Sequence, residues 1–292
     1  MRNAEPDTVW NCFGFGPEVC IRYERQGRGP IPVLLLHGFA ASRATWDDLR
    51  ELFPLDRYTL YLIDLKGFGR SSKPPNGDYG PVEQGAILLA FLSELQLTNV
   101  ILVGHSYGGT VALMALLMAR RSAWRELFAG AVLMGVPAWP QHLPRFFRYL
   151  KAPFLGSLLL HLLPNRYVVT RALESVYFDR KLADDRHRKR YADCFRGEGT
   201  VSALVRTARQ MVPEKWEEFC AEYPALETPL LLLWGREDRV VRLRQGERLR
   251  ATVPGARLEV ISHCGHNPHE EHPEEAWNII RRFLEEVTQV QG

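Results

Sequence analysis

The sequence contains no C-x-x-C pair, and its five cysteines (Cys12, Cys20, Cys194, Cys220 and Cys264) are scattered and odd in number. That spacing suggests neither a structural zinc site nor a disulfide framework. Reduced thiols in a cytoplasmic compartment are expected. Charge of one sign is not in excess either. The 37 basic and 34 acidic residues leave a net charge of +3, too nearly balanced for a nucleic-acid partner. Long hydrophobic runs are also missing. The stretch MRNAEPDTVWNCFGFGPEVC has acidic and polar residues where a secretory signal needs an uninterrupted apolar segment, so no export signal is expected. The most apolar segment, 146–163, is broken by Arg148, Lys151, Pro153 and His161, and its uncharged part is shorter than the ~20 residues of a membrane span. It reads instead as a helix with an apolar underside. Its basic flanks allow a transient contact with a lipid surface but no stable insertion.

What is present is the composition of a soluble globular chain with a sizeable core. Of 292 residues, 46% are hydrophobic and 24% charged. Short apolar runs alternate with helical patterns, which predicts βαβ units on a mostly parallel sheet. Strands are expected over 19–25, 33–36, 58–63, 100–103, 131–134, 230–234 and 258–261. Their density of Val, Ile and Leu suits strands covered on both faces. Helices are expected over 46–52, 81–95, 107–119, 243–252 and 273–287. The last carries an apolar stripe of Ala276, Ile279, Ile280, Phe283 and Val287. Between Pro137 and Pro213 the rhythm breaks into helical, proline-punctuated text that is alternately basic and apolar. This predicts a helical cap over 137–213, inserted into a core made of 1–136 and 214–292.

The segment VILVGHSYGGTVAL places an apolar strand, a cluster of small residues and a helix in succession. G-H-S-Y-G matches the G-x-S-x-G nucleophile elbow, in which glycines permit a crowded strand-to-helix turn that lifts the serine hydroxyl above the sheet. Five residues are a weak signal alone; the flanking strand and helix give it weight. Ser106 is the candidate nucleophile, and a plain helix N-cap serine is the competing reading. A serine hydroxyl needs a base, and the base needs a group to orient it. Partners on such a sheet follow the serine in the order acid, then histidine, each past a strand end. LLLLWGREDRVV supplies Asp238, and LEVISHCGHNPHEEHPEEAW supplies His266.

The rivals differ in position. His263, His269 and His272 share the His266 loop, but His266 alone follows a glycine at its apex, while His269 and His272 are expected in solvent near the closing helix. Asp64 ends a strand but precedes the serine, and its neighbours Gly67 and Gly69 suggest a structural turn. Cys264, beside two histidines, reads as a small buried residue. Attack on a carbonyl creates an oxyanion, which needs preorganised donors. The backbone N–H groups of Tyr107 and Phe39 are the candidates, with His37 fixing the Phe39 loop and His105 needing no part in the chemistry.

The chain resembles the α/β-hydrolase superfamily in four separate places and in order: LLLHGFAAS, DLKGFGRSS, VGHSYGGTVAL, and LLWGREDRVV paired with GHNPHEEHPEEAWNIIRRFL. The resemblance implies an α/β fold with a mainly parallel eight-stranded sheet, helices on both faces and a cap after the sixth strand. It also implies Ser106, Asp238 and His266 as nucleophile, acid and base. Phe39 and Tyr107 follow as oxyanion-hole residues, and Glu271 with Pro273 as a structural start to the last helix. Aspartate would replace Ser106 in epoxide hydrolases and haloalkane dehalogenases. HGFAAS departs from the glycine- and proline-rich loop, resembling HGSGPG, of carbon–carbon hydrolases. The expectation is therefore a serine hydrolase acting on a small-molecule carboxylic ester, with no metal or organic cofactor. Carbon–carbon hydrolysis, transfer to an alcohol, and a receptor with weak hydrolysis are the alternatives. Leu158 and Leu162 of the cap are expected to roof an apolar substrate pocket.

Overall fold

The computed structural model describes residues 10–121, 127–141, 165–195 and 197–289. Eight strands form one sheet: β1 (Trp10–Phe15), β2 (Val19–Gly27), β3 (Ile31–Leu36), β4 (Tyr58–Ile63), β5 (Val100–His105), β6 (Phe128–Met134), β7 (Leu230–Gly235) and β8 (Arg257–Ile261). Their order is β1-β2-β4-β3-β5-β6-β7-β8. β2 pairs antiparallel with both β1 and β4; every other pairing is parallel. The mainly parallel eight-stranded sheet inferred from the family resemblance is thus observed.

Successive side chains of a strand face opposite sides, and β3 shows the consequence. Leu34 and Leu36 enter one hydrophobic cluster, while Val33 and Leu35 enter the other. The first cluster is closed by α2 (Pro81–Glu94) and α3 (Tyr107–Arg120). The second lies beneath α1 (Asp47–Arg50) and the C-terminal helix, whose Ala276, Ile280, Phe283 and Leu284 are buried, with Ile279 and Val287 packed beside them. The segment expected as one helix over 46–52 is instead a 3-10 turn, Arg43–Trp46, running into α1. The Ser42 side chain accepts from the Ala44 N–H and starts the turn early.

Two corrections concern the N-terminal hairpin. β1 was not among the expected strands, because Asn11 and Gly14 dilute its apolar pattern and its pairing is with an edge. Its register sets Cys20 opposite Gly14 and Cys12 opposite Arg22, so the two cysteines lie on a diagonal with Cα atoms 5.6 Å apart. They form a disulfide, contrary to the expectation of reduced thiols throughout; Cys194, Cys220 and Cys264 are free. Cross-strand proximity brings together two residues that linear spacing keeps apart.

Between β6 and β7 the described chain forms α4 (Asn165–Val176), α5 (Asp185–Ala192), α6 (Thr200–Gln210) and α7 (Trp216–Glu222). Val169, Leu173, Tyr177 and Ala183 make a small cluster of their own, whereas Leu204 joins the main core. Leu158 and Leu162, with the whole apolar segment 146–163, lie outside the described residues. After β7 come α8 (Arg244–Thr252), α9 (Pro268–Glu271) and α10 (Pro273–Gln289). Among the described residues no helix is long and apolar enough to cross a membrane.

Candidate active site

Ser106 stands between the last residue of β5 and the first of α3, with φ 52° and ψ −117°. A positive φ on a residue with a Cβ is strained and persists only where surrounding structure enforces it. Here the Ser106 N–H is held by the Met134 carbonyl at 2.8 Å, and the Ser106 carbonyl accepts from Thr110 N–H at 3.1 Å. Glycine makes the approach feasible. A Cβ on Gly108 would lie 2.2 Å from the Leu36 carbonyl oxygen, a backbone atom that cannot move aside. The Ser106 side chain makes no capping hydrogen bond to α3. The N-cap role therefore does not account for it, and its hydroxyl is left at the cavity lining.

Asp238 and His266 meet although 28 positions separate them. The His266 Nδ1–H donates to Asp238 Oδ2 at 2.7 Å, and both side chains are buried. The other carboxylate oxygen accepts the Val240 and Val241 N–H groups, each at 2.8 Å. This pair of bonds pins the carboxylate so that one oxygen always faces the imidazole. The backbone of His266 is pinned as well: its N–H donates to the Val176 carbonyl at the end of α4, and its carbonyl accepts His105 Nε2–H at 2.9 Å. Burial, then the neighbouring His269 and His266 rings, holds the His105 imidazole well below its ordinary range, so it stays neutral. His105 thus positions His266, a role that no local pattern in G-H-S-Y-G announces.

On the opposite side of Ser106, the loop after β3 approaches closely enough that a Cβ on Gly38 would lie 3.3 Å from the Ser106 Cβ. Phe39 follows Gly38 at the cavity wall. The N–H of Tyr107, at the first position of α3, points out of the helix, as the opening amides of any helix do. His37 ties the loop down: its Nδ1–H donates to the Gly38 carbonyl at 2.8 Å and its Nε2 accepts from Leu65 N–H at 3.0 Å. Asp64 serves the turn expected of it, its two oxygens accepting the Arg43 and Arg70 N–H groups at 2.8 Å.

His269 overturns an expectation. It is fully buried, not solvated: its ring stacks on Trp46 at 4.5 Å, its Nε2 meets Thr45 Oγ1 at 2.9 Å, and burial pushes its pKa down to about 4. The α9 turn folds it inward over the 3-10 segment. His272 is only partly covered and donates from Nε2 to the His263 carbonyl at 3.0 Å. Glu271, expected to start the last helix, also binds backbone, accepting N–H groups from Gly265, Asn267 and Phe178. Cys264 is buried, and burial followed by the Glu271 and Asp238 charges pushes its thiol far up, so it is inert.

Ser106 and His266 line one cavity of about 430 Å³, walled by Phe39, Val169, Leu173, Val176, Phe195 and Val240. A smaller recess of about 50 Å³ lies on the other side of Ser106, against Tyr107, Trp139 and Trp216. Among the described residues no group of three His, Cys, Asp or Glu side chains could hold a metal ion.

The family model for the alpha/beta hydrolase fold matches residues 31–273. The chain belongs to this family. It is 29% identical over 279 residues to the uncharacterized hydrolase YugF of Bacillus subtilis, covering 91% of this chain and 94% of that one. It is 25% identical over 282 residues, 92% of each chain, to the 2-hydroxy-6-oxononadienedioate/2-hydroxy-6-oxononatrienedioate hydrolase of Escherichia coli. The solved structure of a bacterial membrane phospholipase A superposes with a TM-score of 0.73 at 26% identity, covering 96% of this chain and 87% of that one. In open α/β sheets ligands bind beyond the carboxyl ends of the strands, which is where Ser106, Asp238 and His266 gather. A larger cleft of about 680 Å³, lined by Asn99, Phe128, Pro229 and Arg257, lies at the amino ends of the strands and holds none of the three.

Proposed function

We propose that this hydrolase cleaves a carboxylic ester bearing an apolar acyl or aryl group, through an acyl-enzyme on Ser106. The observation that carries the proposal is the Asp238–His266 hydrogen bond at 2.7 Å, with His266 and Ser106 lining one largely apolar cavity. With Nδ1–H committed to the carboxylate, Nε2 is the lone-pair nitrogen and can take the serine proton. Ser106 Oγ adds to the ester carbonyl, and the oxyanion is received by the N–H groups of Tyr107 and Phe39. The imidazolium, stabilised by Asp238, then protonates the departing alcohol. Water repeats the cycle on the acyl-enzyme, giving up its proton to His266, and the acid leaves with Ser106 restored. The substrate partner is a small molecule, and each step uses side chains and backbone of this chain alone.

A second reading, hydrolysis of a carbon–carbon bond in a vinylogous diketone, is favoured by the relative from Escherichia coli. That relative is named for a dioate, which carries two carboxylates. Arg171 is the lone cation among the described residues of the cavity wall, and Glu174 pairs with it at 3.0 Å. An apolar wall suits an acyl chain better. A panel of aryl esters of increasing acyl length, run beside a vinylogous diketone, separates the two. The ester reading expects turnover on the esters that disappears in Ser106→Ala. Turnover on the diketone alone, or no labelling by a covalent serine probe, overturns it.

A further inference from the structure

Glu270 is a carboxylate whose side chain is wholly shut off from water. Its Oε1 accepts the Thr45 hydroxyl at 3.0 Å and faces Arg190 Nη1 at 3.6 Å. Its Oε2 accepts the hydroxyls of Tyr177 and Tyr191, both at 2.9 Å, and Asn267 Nδ2 at 2.6 Å. Each proton has a destination. Neutral His269 donates from Nε2 to Thr45 Oγ1, which frees the Thr45 proton for Glu270. The second amide hydrogen of Asn267 goes to the Tyr191 oxygen at 3.1 Å. Burial and the Glu270 charge push both tyrosines up, so each remains a donor. Only an ionised, acceptor-only carboxylate fits this set. Arg190, held by Asp48 at 2.8 and 3.3 Å, supplies the opposite charge.

These groups come from three separate places. Thr45 follows the Phe39 loop; Tyr177, Arg190 and Tyr191 belong to the β6–β7 connection; Asn267 and Glu270 belong to the loop that carries His266. Tyr191 and Asn267 also line the 430 Å³ cavity, and Tyr177 does not. A buried charge is a poor device for stability alone, because desolvation cancels most of what its hydrogen bonds contribute. Its use lies in fixing geometry, here that of two side chains in the cavity wall.

We propose that Glu270 is a positioning residue that locks the β6–β7 connection to the His266 loop and, through Tyr191 and Asn267, sets how well the cavity accepts long apolar groups. The inference rests on Ser106 being the nucleophile. It is tested by the second-order rate of Ser106 labelling with two fluorophosphonates, one ethyl and one dodecyl, beside thermal melting. Tyr191→Phe, which removes a hydrogen bond to a buried charge and leaves an Asn267 amide hydrogen without its acceptor, should lower the dodecyl-to-ethyl rate ratio by upwards of about tenfold. Tyr177→Phe removes a bond from the same carboxylate oxygen away from the cavity. It should lower the melting temperature and leave the ratio alone. Glu270→Gln, which sets a donor among donors, should change the ratio at least as much as Tyr191→Phe. The two tyrosine variants suffice should it not fold. A ratio equal to wild type in Tyr191→Phe, or an equal change in both tyrosine variants, overturns the inference while the nucleophile assignment stands. A wild-type protein that neither probe labels overturns both.

Discussion

Asp238→Asn replaces one heavy atom and tests the proposed acid directly. Oδ1 is held by two backbone N–H groups at 2.8 Å, and Oδ2 takes the His266 proton at 2.7 Å. An asparagine must choose which side receives its NH2. Turning the NH2 toward Val240 and Val241 sets it against two donors; turning it toward His266 sets it against one. An unpaired buried donor costs about 1–3 kcal/mol, so the amide oxygen stays with the backbone and the NH2 faces Nδ1. The imidazole must then carry its proton on Nε2, the nitrogen required to accept from Ser106. Turnover should fall by a factor on the order of 10³–10⁴, about 4–5.5 kcal/mol of barrier, with the fold intact. The assay is kcat on an aryl ester, normalised by active-site titration, with melting as the control. Asp64→Asn is the comparison. Both its oxygens accept backbone N–H groups, so it should lose about 1–3 kcal/mol of stability and keep its turnover per site. A folded Asp238→Asn within tenfold of wild type would remove Asp238 from the role of acid, as would an Asp64→Asn more damaging to turnover.

Ser106→Ala should lose several orders of magnitude in activity, and adding His266→Ala should cost little more, because the members act as a unit; kinetics on the single and double variants decide. Gly108→Ala drives a Cβ to within 2.2 Å of the Leu36 carbonyl oxygen, so melting and turnover should both drop, by upwards of about 1–3 kcal/mol in stability. Polar replacements at Leu158 and Leu162 should shift an ester panel toward shorter acyl chains, and an unchanged profile in folded variants removes them from the pocket. His269 has a folded pKa of about 4 against 6.5 ordinarily, so between these values the unfolded chain binds a proton that the folded chain refuses. Stability from this group is complete above 6.5 and should decline by about 3 kcal/mol as pH falls through 4; His269→Gln should flatten that decline in melting curves.

Much of the molecule was legible because its signals are local. Strands β3 to β7 are covered on both faces, which writes them as short, mostly apolar runs rich in Leu, Val and Ile, with Tyr and Thr admitted in β4 and Phe, Ala, Gly and Met in β6. Gly108 betrays the elbow because contact with the Leu36 backbone tolerates no side chain. That Asp238 and His266 meet was legible from order alone, each following a strand. What escaped reading is non-local. β1 is an edge strand with a diluted pattern, and its pairing alone brings Cys12 to Cys20. HNPHEEHPEE looks like a solvated run of charge, yet His269 and Glu270 are buried by partners as distant as Thr45. No periodicity records a hydrogen bond spanning 225 positions.

A covalent acyl group on Ser106 is the intermediate this chemistry requires, and intact-mass spectrometry of rapidly quenched reactions measures it directly. Mixing the protein with an excess of an aryl ester should release a burst of phenol equal to the active sites. The protein should gain the mass of one acyl group, located on the peptide containing Ser106 and absent from Ser106→Ala. Steady ester turnover without a burst and without any acyl mass on that peptide would contradict the account.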